Sequence, residues 1–130
     1  MLCPYSLKID LEPGVYAFNR ESGIGKTFVF QLLKQVSQAY QEKRVLAASY
    51  MEYTENELIN RLMSNMYDII MFDRYEMWAT PELDSCLQRQ RDAAIILLDV
   101  KDLNSIILDI SMLAGILISE GEVTVSNYAE

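Results

Sequence analysis

The residues best suited to chemistry are Ser22-Gly23-Ile24-Gly25-Lys26-Thr27, a small-residue stretch that ends in a cation and a hydroxyl. Glycine reaches positive φ, so backbone N–H groups around Gly23 and Gly25 can turn into one anion cradle. A helix starting at the same point adds its unpaired N–H groups and its positive end. A lysine so placed reaches the β- and γ-phosphates of a nucleotide, and a threonine hydroxyl ligates Mg²⁺. The chemistry indicated is nucleoside triphosphate binding with Mg²⁺, using Ser22 to Thr27 for the phosphates and Lys26 as the cation.

Other chemistries drop out by composition. The chain has no histidine, which excludes Ser-His-Asp and Cys-His catalysis and His-containing zinc sites within it. Cys3 and Cys86 have no CxxC spacing and read as reduced packing thiols of a cytoplasmic protein. With 11 Lys plus Arg against 19 Asp plus Glu, the net charge is −8. No basic run exceeds Lys43-Arg44, so the sequence argues against direct nucleic-acid binding. The opening MLCPYSLKID lacks the basic and apolar regions of a signal peptide. The stretch Leu103 to Ser119 is interrupted by Asp109 and falls short of the ~18 to 20 apolar residues of a membrane span. No membrane insertion is expected.

The elements that must position the loop follow from hydrophobic period. Ser6 to Leu11 alternates as a half-buried strand, Pro13-Gly14 turns, and Val15 to Phe18 is a short apolar run that reads as a buried strand. Val29, Leu32, Leu33, Val36 and Tyr40 mark one face of a helix that starts near Lys26. Arg44 to Tyr50, Asp68 to Asp73 and Ala94 to Asp99 read as further strands, the last two apolar and closed by an acid. Thr54 and Glu57 form a capping box ahead of a helix striped by Leu58, Ile59, Leu62, Met63 and Met66. Thr80-Pro81 opens a third helix through about Asp92, where Arg89 and Arg91 read as a solvated face. Leu103 to Ile110 has helical spacing, and Gly115 to Ser119 with Val123 to Ser126 flank a Glu120-Gly121-Glu122 turn. The alternation predicts one α/β domain over residues 1–130, with three layers: a mostly parallel sheet flanked by helices, and antiparallel hairpins at its edge.

Through Arg20 to Thr27 and the elements behind it, the chain resembles the P-loop NTPase superfamily, in particular small ABC- and AAA-like ATPase domains. Arg20 stands where the pattern places its first glycine, and no LSGGQ-type signature is present. The resemblance implies a Walker B acid that holds Mg²⁺ with Thr27. Asp73 and Asp99 are its two candidates; the AAA-like order favours Asp73, with Asp99 sensor-like. Arg74 follows Asp73 where that branch has a glutamate, which leaves Glu76 as the acid to orient attacking water.

The implied function is ATP binding with slow or partner-stimulated hydrolysis, by a homo-oligomer or with a protein partner, and with Lys26, Asp73 and Glu76 as the catalytic set. Two alternatives stand beside it. One is a degenerate loop in a regulatory or adaptor module. The other is a small nucleotide-kinase-like phosphotransferase, since Asp73-Arg74-Tyr75 resembles the DRY motif of thymidylate-kinase-like enzymes.

Overall fold

The computed structural model describes residues 6–18, 24–39, 44–101 and 112–127. Strands β1 (Ser6–Asp10) and β2 (Gly14–Phe18) are followed by helix α1 (Ile24–Ala39), then β3 (Val45–Ala48) and α2 (Glu55–Ser64). Next come β4 (Ile69–Phe72), a 3-10 turn (Tyr75–Met77), α3 (Pro81–Gln90), β5 (Ile95–Leu98), β6 (Met112–Ser119) and β7 (Glu122–Asn127). The expected helix over Leu103 to Ile110 lies outside the described residues, as do Cys3, Arg20, Ser22 and Gly23.

Local signals produce these elements. The Thr54 hydroxyl accepts from the Glu57 N–H at 3.1 Å, and the Thr54 N–H donates to Glu57 Oε1 at 2.8 Å, which completes the capping box. Thr80 caps α3 by accepting from the Leu83 N–H at 3.1 Å, with Pro81 at the first helical position. Of the expected α2 stripe, Leu58 and Leu62 are buried, but Met63 and Met66 are 64% and 65% exposed. The helix ends at Ser64, so Met66 lies past it.

The sheet runs β1-β7-β6-β2-β5-β4-β3. Alternate residues of its central strands bury on opposite faces. Val15, Leu46, Ile70, Phe72, Ile96 and Leu98 pack with Leu58, Leu83 and Leu87 of α2 and α3. Tyr16, Phe18, Ala47, Met71 and Leu97 pack with Val29, Leu32 and Leu33 of α1 and with Val123 and Val125 of β7. Strands buried on both faces lose the polar alternation, which is why β2 reads as a continuous apolar run.

The expected architecture is corrected here. The sheet is mixed and curled into a half-barrel with three helices among the described residues, not a helix-flanked, mostly parallel, three-layer P-loop-type fold. Two features produce the difference. Glu120 (φ 46°) and Gly121 (φ 83°) both lie in the left-handed region, the geometry of a two-residue hairpin turn that reverses the chain in place. The resulting β6–β7 hairpin is not at an edge: β6 pairs with β2, and β7 pairs with β1, which forms the edge. Further, β1 alternates between exposed and half-buried residues, and Leu117 and Ile118 of β6 are exposed. That half of the sheet therefore keeps a solvated face.

Among the described residues, one carboxylate is buried with the core. Asp84 of α3 is 7% exposed and accepts a hydrogen bond from the Tyr75 hydroxyl. Burial, together with this bond, pushes the Tyr75 phenol well above its usual range, so it stays a neutral donor. Tyr75→Phe removes that donor and is expected to cost about 1.5–3 kcal/mol, read as a lower urea midpoint. An unchanged midpoint would mean that the bond contributes nothing to stability.

Candidate functional site

The carboxyl ends of β4 and β5 lie side by side, with β5 next to β2. Ligands of open α/β sheets collect at such strand ends. Asp73 immediately follows β4 and Asp99 immediately follows β5, and two backbone bonds fix their level. The Asp73 N–H donates to the Ala48 carbonyl at 3.0 Å, and the Asp99 N–H donates to the Phe72 carbonyl at 2.9 Å.

Helix α1 brings Lys26 to these two acids. Its first turn lies close to β6, where a β-carbon built on Gly25 would stand 3.0 Å from Ile116 Cγ2. The glycine therefore permits a close approach; it lies within the helix and not at the positive φ expected of a cradle. Gly25→Val forces Ile116 to move and is expected to lower stability by about 1–3 kcal/mol, as overpacking does; thermal unfolding checks it. A variant as stable as the wild type would show that the helix end has room.

Lys26 Nζ sits 2.9 Å from Asp99 Oδ1, with both side chains about one-fifth exposed. Asp99 in turn acts on Asp73 through a hydrogen bond and through its charge. Burial, then the Asp99 bond and charge, push Asp73 up to about 6, against the pull of Arg74. Arg74 adopts φ 56°, a conformation that non-glycine residues rarely take. It turns the chain out of β4 so that Glu76 comes back toward the site, where Glu76 Oε1 accepts from the Lys101 N–H at 3.3 Å. Lys26, Asp73, Arg74, Glu76, Asp99 and Lys101 together surround a cavity of about 310 Å³.

The structure thus brings together Lys26, Asp73, Asp99 and Glu76 from three separate regions of the sequence. Thr27 is exposed on the first turn of α1, and the Ile24 and Gly25 backbone forms the start of that helix. The Lys26–Asp99 ion pair and the presence of Lys101 were not anticipated. The only sequence signal for Lys101 is its position two residues past a strand-closing acid.

A roomier cavity, of about 440 Å³, has Tyr50, Met51, Tyr53, Met77 and Trp78 in its walls. Its carboxylates already have partners: Glu52 pairs with Lys34, Glu55 accepts from Thr80, and Glu57 caps α2. Chemistry therefore favours the smaller cavity. Trp78 joins the two, because its indole N–H donates to the Asp73 carbonyl at 2.9 Å while its ring stacks on Phe72.

The chain matches no protein-family model, no curated protein and no solved structure. Function therefore has to be read from the site itself. Among the described residues no group of three or more acids or cysteines stands ready to hold a metal alone. The oxygen donors of Asp73 and Asp99 fit a different mode, in which Mg²⁺ takes one or two carboxylates and completes its shell with phosphate and water. No helix of the described residues is long and apolar enough to cross a membrane.

Proposed function

We propose that this chain binds a nucleoside triphosphate together with Mg²⁺ where α1 begins. The observation that carries the reading is the convergence of Lys26, Asp73 and Asp99 on one cavity at the first turn of α1. A lysine at a helix start beside two strand-end carboxylates suits a polyphosphate with a divalent cation, because each partner neutralises charge that the others leave. Ligand-free, Lys26 is held by Asp99, and Asp73 keeps its proton only below about pH 6. With nucleotide bound, Lys26 exchanges Asp99 for phosphate oxygens, and Asp73 with Asp99 and the Thr27 hydroxyl would hold the metal. The metal supplies charge neutralisation at the phosphates. Asp73 must release its proton to serve, so metal-dependent binding strengthens as pH rises through about 6.

Turnover is the weaker part of the activity. Glu76 lines the cavity, and the bond from the Lys101 N–H to its Oε1 restrains where that carboxylate can place a water. This favours slow hydrolysis, or stimulation by a partner that frees Glu76. It equally supports the second reading, a nucleotide-binding regulatory module without turnover.

The deciding experiment is calorimetric titration of ATP, with and without Mg²⁺, into wild type and Lys26→Ala. Mg-dependent binding that disappears in the variant supports the reading. Equal affinity in both proteins, or no binding to either, would sink it. Phosphate release from wild type then separates the hydrolase from the regulator.

A further inference from the structure

We propose a second, separate binding site for a compact anion, a phosphoryl or carboxylate group on a small molecule, in the groove beside the free edge of β3. Strand β3 ends the sheet order. The Arg44 carbonyl accepts from the Asp68 N–H at 2.7 Å and the Ala48 carbonyl from the Asp73 N–H at 3.0 Å, both on the β4 side. By the alternation of a parallel strand, Val45 and Ala47 direct their peptide groups away from β4. Lys34 of α1, Arg44, Arg61 of α2 and Asn65 just past that helix stand around that side, with Ser37 and Tyr67, and enclose about 270 Å³.

The charge distribution identifies the ligand class. Three of the chain's 11 cations line this one groove, and no carboxylate does, although the chain carries a net −8. Among the described residues neither Arg44 nor Arg61 has a carboxylate at ion-pair distance; Glu57, one turn before Arg61 on α2, feels its charge but is held by Thr54. Arg61 is held in place over the Tyr53 ring, 4.7 Å from its centre. A guanidinium presents a planar fork of donors that matches phosphate and carboxylate oxygens. An added peptide strand is the poorer occupant, since Val45 and Ala47 are only 7% and 3% exposed. The groove admits a small group, not a backbone along its length.

This site is independent of the nucleotide reading, and one measurement separates the two. Inorganic pyrophosphate, and in a parallel arm citrate, is titrated into the full ¹⁵N-labelled chain without Mg²⁺ while backbone amides are followed. Saturable shifts are expected at Arg44 to Ala47 and Arg61 to Asn65, weakened about tenfold or more in Arg44→Gln/Arg61→Gln. Which arm saturates at lower concentration distinguishes phosphoryl from carboxylate. Shifts confined to Gly25 to Thr27, shifts that never saturate, or shifts of the β3 edge that survive in the double variant would overturn the proposal. Both arginines are exposed, and the dispersion of the variant's own spectrum verifies its fold.

Discussion

Lys26→Ala is expected to weaken Mg-ATP binding by about ten- to hundredfold, the equivalent of one charge-assisted hydrogen bond of about 1.5–3 kcal/mol. Two effects set the size. The variant loses the ammonium that meets the phosphate oxygens. It also loses the partner of Asp99, 2.9 Å away in the free protein, and so leaves two adjacent carboxyls to repel an incoming polyanion. The second effect yields to Asp99→Asn, whereas the first does not. In the double variant Lys26→Ala/Asp99→Asn, affinity should therefore recover in part when ATP is titrated without Mg²⁺. A double variant no better than Lys26→Ala in that titration would show that Lys26 acts on phosphate alone.

Asp73→Asn should have opposite effects on stability and on binding. In the folded chain Asp73 is pushed up to about 6 from an ordinary value of 3.8. The folded state thus binds this proton more tightly than the unfolded state. Its contribution to stability is fully present below about pH 4, is lost as pH rises through about 6, and is constant above that. Asparagine keeps the hydrogen bond to Asp99 but carries no charge to ionise. The variant should therefore gain on the wild type steadily between pH 4 and pH 7, and melt several degrees higher at pH 7.5.

Two other groups slope the opposite way. Burial works to raise Glu52, but its bonds from Lys34 and Ser49 outweigh this and hold it low; backbone and side-chain bonds at Thr54 hold Glu57 low. Their stabilisation is lost on acidification in both proteins, so it cancels from the difference in melting temperature between variant and wild type. A difference that is flat from pH 4 to pH 7.5 would refute the upward shift at Asp73. At the same time, Asp73→Asn should abolish the Mg²⁺ dependence of nucleotide binding. A side chain that costs stability in the free protein and is needed for the ligand is the signature of a functional position.

What could be read from the sequence was local. The capping box at Thr54, the Thr80-Pro81 helix start, the Glu120-Gly121 reversal and the acid closing each of two apolar runs all depend on residues within a few positions of each other. Each forms in the structure. The pairing of strands depends on contacts between distant segments, and period alone does not encode it. Nothing in Ser6 to Asp10 says that this strand pairs with β7 rather than β2. Hence the hairpin was expected at an edge and is found inside a curled sheet. The site was partly legible for the same reason. Lys26, Asp73, Asp99 and Glu76 stood out as types at element ends, but the partnership of Lys26 with Asp99 required the order of β2, β5 and β4. The grouping of Lys34, Arg44 and Arg61 had no sequence signal, because they lie on two helices and a strand edge.

The chain contains one tryptophan, and that residue is Trp78, whose indole N–H is bonded to the Asp73 carbonyl and whose ring lies against Phe72. The protein therefore has its own optical probe at the site, with no label and no competing fluorophore of the same kind. Any movement of the Asp73 peptide when Lys26 exchanges partners changes the polarity around that indole, and so its emission wavelength and intensity. On the proposed function, stopped-flow mixing of the unmodified protein with Mg-ATP would time that exchange directly.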